Sequence, residues 1–175
     1  MLCYQFCERK AQVSHSKIVM AAPRTRTKVQ VMFFDTDCGG VVSNIAYLRF
    51  VEVARTHLSE KLGLRVAEMA DRQTYPVVVR TEIDYRRSAK LGDELVIEGW
   101  LHRVERARFW CAFRITRPKD KTLIADCRQM LALIELPSGK LLRLPDSWEK
   151  YREQPRTNRG TDQNRIRISG EGSIQ

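Results

Sequence analysis

Residues 34–62 read FDTDCGGVVSNIAYLRFVEVARTHLSEKL, and the fold turns on them. The first ten place Asp35 and Asp37 two positions apart, then the adjacent pair Gly39 and Gly40, then Ser43. From Asn44 the pattern takes on a helical period. Tyr47, Val51, Ala54, Leu58 and Leu62 share one stripe, and Phe50 and Val53 widen it. Ser43 suits the N-cap, because its hydroxyl can accept from a first-turn N–H that has no intrahelical partner. Gly63 suits the position just past the end. The spacing predicts a helix of about five turns over 44–62. Its first half is apolar nearly all round, which implies a helix wrapped by a sheet.

Strands surround that helix. Residues 27–34, TKVQVMFF, read as a strand with Val29, Val31 and Phe33 on one face. In 76–85, Val77, Val79, Thr81, Ile83 and Tyr85 alternate with Val78, Arg80, Glu82 and Asp84. Leu-Gly-Asp at 91–93 is a turn into a strand over 94–104. In 108–117, Phe109, Cys111, Phe113 and Ile115 face one way, and Arg108, Trp110, Arg114 and Thr116 the other. A turn at 118–121 leads to a long strand over 123–136. Pro137, Ser138 and Gly139 turn into a short strand over 140–144, and LPDSWEKYRE reads as a short closing helix. One long helix with five or six mostly antiparallel strands is an α+β architecture.

The chain has 175 residues, which fits one domain with a sizeable core. No apolar run approaches the roughly 20 residues that span a bilayer, and the first residues lack the apolar core of a signal peptide. The expected location is the cytoplasm. Five cysteines, Cys3, Cys7, Cys38, Cys111 and Cys127, are an odd count that argues against a disulfide framework. His15, His57 and His102 are widely spaced, so no metal site is expected. The net charge of +10 is concentrated at the ends. Residues 1–28 carry six Lys or Arg against one Glu, whereas 29–151 carry 20 basic and 17 acidic residues. Nucleic acid is therefore not the expected partner. The division is a basic, flexible N-terminal extension over 1–24, one domain over 25–152, and a disordered polar tail over 153–175. Met20 is an alternative start to Met1.

The loop before the helix has two readings. In one, Asp-x-Asp is a turn with a cap and the glycines only supply positive φ. In the other, the free N–H groups at Asn44 and Ile45 lie at the positive end of the helix dipole and hold an oxyanion. The glycines then let the chain approach a ligand. An aspartate on the loop acts as nucleophile, or as general base on water. Acid, glycines and helix start together make an acyl-transfer site.

The stretch VMFFDTDCGGVVSNIAYLRFVEVAR, residues 31–55, resembles the 4-hydroxybenzoyl-CoA thioesterase family of hotdog-fold acyl-CoA thioesterases. Asp35, Asp37, Gly40, Val42, Tyr47, Glu52, Ala54 and Arg55 carry the likeness, which extends over roughly 25–150. The resemblance implies a hotdog fold, a long central helix wrapped by a five- to six-stranded, mostly antiparallel sheet. It implies Asp37 as the catalytic acid and the backbone N–H of Asn44 as the oxyanion donor. Gly40, Ser43, Tyr47 and Phe33 fall on the substrate-binding side, although Tyr47 and Phe33 equally read as core. Arg106, with Arg108 close by, matches basic residues that take the coenzyme A phosphates. Asp35 reads as structural, Glu52 and Arg55 as an ion pair at i and i+3, and Glu52 is the alternative acid. The resemblance also implies a homodimer or homotetramer with sites between subunits, and no cofactor beyond the coenzyme A of the substrate. Some members carry His at Asn44 and Tyr at Phe33; G-V-V-S-N lies between two family patterns.

Two functions follow. The first is hydrolysis of a small to medium acyl-CoA to free acid and coenzyme A. The second is a weakly catalytic hotdog-fold binding or scaffold protein whose basic tails contact RNA or protein.

Overall fold

The structure, a computed structural model, describes residues 22–152. The expected extension over most of 1–24 and the tail over 153–175 lie outside the described residues. The elements run β1 (Arg24–Gln30), a 3-10 turn (Phe33–Asp35), α1 (Asn44–Lys61), α2 (Val66–Arg72), β2 (Thr74–Tyr85), β3 (Glu94–Val104), β4 (Arg108–Arg117), β5 (Thr122–Glu135) and a closing 3-10 segment (Asp146–Tyr151). The strands form one sheet in the order β1-β3-β4-β5-β2, and each neighbouring pair is antiparallel. This is the hotdog arrangement, with α1 as its central helix.

Strand alternation decides the core. Leu95, Ile97 and Leu101 of β3, Phe109, Cys111, Phe113 and Ile115 of β4, and Cys127, Leu131 and Leu133 of β5 are buried. They meet Ala46, Tyr47, Phe50, Val51, Ala54 and Leu58 of α1 in one cluster. The sheet covers that stripe and leaves Ile45, Leu48 and Val53 on the outer side of the helix. Ser43 is the N-cap, its hydroxyl accepting from the Ala46 N–H at 3.3 Å. Leu62 is the C-cap residue, and its carbonyl accepts from the indole N–H of Trp148 at 3.1 Å. Trp148 also meets Phe109 edge to face, so the closing segment pins the far end of α1 to the sheet.

Three elements differ from expectation. The strand read over 27–34 ends at Gln30, and Phe33 begins a turn in which it is 80% exposed. The cause is Asp35: its carboxylate accepts from the Met32 N–H at 2.8 Å and curls the chain before Phe33 can pair. Residues 140–144 form only an isolated bridge, Ile134 to Leu141, rather than a strand. The seven-residue helix α2 has no side-chain cap to announce it.

Candidate active site

The acid-rich segment folds as a small hairpin that closes onto the start of α1. Thr36 bridges Val42, the Asp37 N–H donates to the Val41 carbonyl at 2.9 Å, and the Ser43 N–H donates to the Asp35 carbonyl at 2.8 Å. Gly40 sits at the tip with φ of 69°, a conformation that side chains with Cβ adopt at a cost of about 1 kcal/mol. A Cβ on Gly39 would lie 3.1 Å from the Asp37 carboxylate, so the hairpin is closed tightly around that acid. A further strand-like bridge, Val41 to Lys90, and the Val42 N–H to Ala89 carbonyl bond at 2.9 Å fasten the hairpin to the segment between β2 and β3.

The two aspartates have separate environments. Asp35 is 2% exposed, and its carboxylate is held by the Met32 N–H and by an ion pair with Arg49. Asp37 is exposed, and its Oδ1 accepts from the Gly39 N–H at 2.8 Å. Among the described residues nothing donates to its Oδ2, and nothing accepts from the N–H groups of Asn44 and Ile45. Asp37 stands two residues along the hairpin from Asp35, whose carbonyl holds Ser43.

An open pocket of 310 Å³ lies against that helix start, lined by Val42, Asn44, Tyr47, Tyr85, Arg86, Arg87 and Ser88. Tyr47 is 4% exposed and packs against Tyr85 at 5.4 Å between ring centroids. Its hydroxyl accepts from the Ala89 N–H at 3.1 Å. Burial raises the Tyr47 phenol above its ordinary value, so it stays neutral. Tyr47 therefore both lines this pocket and fills core. Phe33 does neither within one chain.

The sheet separates the expected arginines from this pocket. Arg108 opens β4 and Arg117 closes it, with Arg117 donating to the Ser88 carbonyl beside the pocket. Arg108, and Arg106 in the hairpin before it, thus lie about 30 Å away at the far end of the same strand. The cations beside Asn44 are instead Arg86 and Arg87. Arg86 pairs with Asp84 at 3.3 Å, whereas Arg87 has no carboxylate partner among the described residues. Their signal in sequence is the Arg-Arg pair immediately after β2, where alternation stops. Asp93 braces the same end: 7% exposed, it takes Arg117 and Lys119, both at 2.9 Å, and the Lys90 N–H at 3.0 Å. Burial alone would raise its carboxyl, but the bonds from Lys119, the Lys90 N–H and Arg117 outweigh that and bring it down to about 2. Glu52 pairs with Arg55 at 3.2 Å, as the i, i+3 spacing predicts.

Residues 31–150 match the model of the thioesterase-like superfamily. The chain belongs to that superfamily. It is 32% identical over 118 residues to an acyl-CoA thioesterase, YbgC, of Haemophilus influenzae, covering 67% of this chain and 85% of the relative. A probable thioesterase of Bartonella henselae superposes with a TM-score of 0.64 at 28% identity, over 70% of this chain and 99% of that one. A 1,4-dihydroxy-2-naphthoyl-CoA thioesterase of Synechocystis shares the fold, with a TM-score of 0.65 at 24% identity over 72% of this chain and 93% of that one. As a superfamily member this chain is a thioester hydrolase. None of its described helices is long and apolar enough to cross a membrane.

Proposed function

We propose that this thioesterase hydrolyses acyl-CoA, with a small to medium acyl group, at the start of α1. The observation that supports the reading is the closed hairpin, which carries the exposed carboxylate of Asp37 and is bonded through the Asp35 carbonyl to Ser43, at the start of the helix whose first N–H groups and adjoining pocket are open. The thioester carbonyl oxygen accepts from those N–H groups, which stabilise the charge that develops on it. Asp37 Oδ2 takes a proton from water as the water oxygen bonds to the carbonyl carbon, or bonds to that carbon itself. The carbon–sulfur bond then breaks, and the sulfur leaves as coenzyme A thiolate and is protonated. In the nucleophilic route, water next opens the resulting anhydride and frees Asp37. Either route consumes one water and yields one acid and one thiol. Gly40 and Ser43 shape the approach and hold the helix start.

Arg87 lies on the same side as the thioester, where a coenzyme A phosphate can reach it. Arg106 and Arg108 serve such a site only from a neighbouring copy, which fits a homodimer or homotetramer. The free edge of β2, where Val79 is 49% exposed, offers that copy a strand to pair with.

A panel of acyl-CoAs of increasing length, followed by free-thiol release, tests the reading. Turnover of short and medium members that disappears in Asp37→Asn supports it. Absence of thiol release across the panel overturns it.

A further inference from the structure

A second cavity, of 160 Å³, lies under α2, walled by Leu58, Leu62, Met69, Pro76 and Phe109, with Arg55 at its edge. Its place follows from the order of residues along two elements. On α1 the helix-start pocket takes Asn44 and Tyr47, Arg55 comes next, and the far cavity takes Ser59 and Leu62. On β2 the same order reads Tyr85, then Thr81, then Pro76 and Tyr75. Arg55 and Thr81 are joined through one side chain. The Arg55 guanidinium donates to Gln129 Oε1 at 2.8 Å, and Gln129 Nε2 donates to Thr81 Oγ1 at 3.2 Å. A polar bridge therefore crosses from helix to sheet between two cavities that are mainly apolar. Gln129 is 4% exposed, and removing Arg55 leaves its amide oxygen buried without a partner.

We propose that the cavity under α2 is a second compartment for an apolar acyl tail, and that the Arg55–Gln129–Thr81 bridge closes it off and so sets the longest acyl group the enzyme accepts. The inference rests on the acyl-CoA reading. Thr81 is four residues from Tyr85, so the bridge stands about 13 Å from the pocket wall, and a hydrocarbon reaching that far meets a row of hydrogen-bonded polar groups. Pushing the chain through breaks those bonds and strands their buried partners. Beyond the bridge lies the apolar lining of the far cavity.

Two kinds of variant separate this from a bridge that merely pins helix to sheet. Arg55→Met and Gln129→Met each break the bridge from one side; the second keeps the Arg55–Glu52 pair and serves where the first does not fold. Met69→Trp fills the far cavity from the half-buried position that Met69 holds on α2. The readout is the ratio of kcat/KM for a long straight-chain acyl-CoA to that for a short one. Either bridge variant is expected to raise the ratio about tenfold, the value of roughly two newly buried methylenes, and Met69→Trp added to it is expected to return the ratio to the wild-type level. A ratio that does not rise in a folded bridge variant, or a gain that survives Met69→Trp, overturns the proposal. Calorimetric titration with dodecanoate gives an arm independent of turnover: tighter binding in Gln129→Met, lost again with Met69→Trp. If wild type releases no thiol from any acyl-CoA, the function reading fails and this arm alone judges the compartment. Equal dodecanoate affinity in all three proteins then overturns it.

Discussion

The Ser43 N–H donates to the Asp35 carbonyl at 2.8 Å, and this bond joins the acid hairpin to the N-cap of α1. Asp35 is therefore bound twice into the scaffold, through its carbonyl and through a buried carboxylate that holds Met32 and Arg49. Asp37, one step out on the same hairpin, has an oxygen left over. The Asp-x-Asp pair divides into one buried aspartate that builds the helix start and one exposed aspartate on the hairpin.

That division makes the two amide variants differ. Asp37→Asn keeps the shape and removes a base and nucleophile, so kcat should fall by about 10² or more with the unfolding midpoint unchanged. Asp35→Asn weakens a buried charge-assisted bond and an ion pair, so it should lose about 2 kcal/mol of stability with a modest kinetic effect. Urea unfolding and steady-state kinetics on both variants check this. The reverse result would assign the chemistry to Asp35; two fully active variants would direct attention to Glu52.

The helix was legible because cap, stripe and end all lie in one continuous segment. The strand limits of β3 and β4 were legible because alternation ends in turn residues. Phe33 was misread because its alternation with Val29 and Val31 is real, yet a side chain two residues later takes the Met32 N–H that the strand needed. The position of the arginines was not legible for a different reason. Which basic residue stands beside Asn44 depends on strand direction and register, and those place Arg117 rather than Arg108 at the pocket end of β4. Alternation along one strand carries no information about which end meets the helix start.

The two arginine groups can be told apart by kinetics. Arg87→Ala should raise KM for acyl-CoA about tenfold and largely spare kcat, since a phosphate contact is equal in ground and transition states. Arg108→Ala should do the same only if it acts from a neighbouring copy. Mixing Arg108→Ala chains with inactive Asp37→Asn chains then restores the wild-type KM at shared sites, because the Asp37→Asn chain supplies the arginine. A wild-type KM in Arg108→Ala removes that residue from the site.

Cys38 is exposed beside Asp37, whereas Cys111 and Cys127 are buried. Burial pushes both buried thiols up to about 12, so almost no thiolate forms at neutral pH. Iodoacetamide at neutral pH should label Cys38 and spare Cys111 and Cys127, as peptide mapping would show, and labelling should block turnover by crowding the hairpin. Cys38→Ser should keep activity after the same treatment. Loss of activity in the treated Cys38→Ser protein would place the sensitive group elsewhere.

Asp93 gives the pocket end of the sheet a pH-dependent contribution to stability. Its folded carboxyl titrates near 2, against 3.8 for the free group. The unfolded chain therefore binds the proton more readily, so the contribution is complete above about pH 4 and is lost as pH falls through 4 toward 2. Its size is about 2 kcal/mol. In Asp93→Asn the proton site is gone, while Arg117 and Lys119 keep a weaker acceptor. That variant should be less stable than wild type by about 2 kcal/mol at pH 6. The gap should close on acidification to about pH 2, because the wild-type carboxyl is by then becoming neutral as well. Urea midpoints measured for both proteins at pH 6, 4, 3 and 2 give the difference directly. Two parallel curves across that range would show that Asp93 binds its proton equally in the folded and unfolded chain, and that Arg117 and Lys119 do not hold its charge.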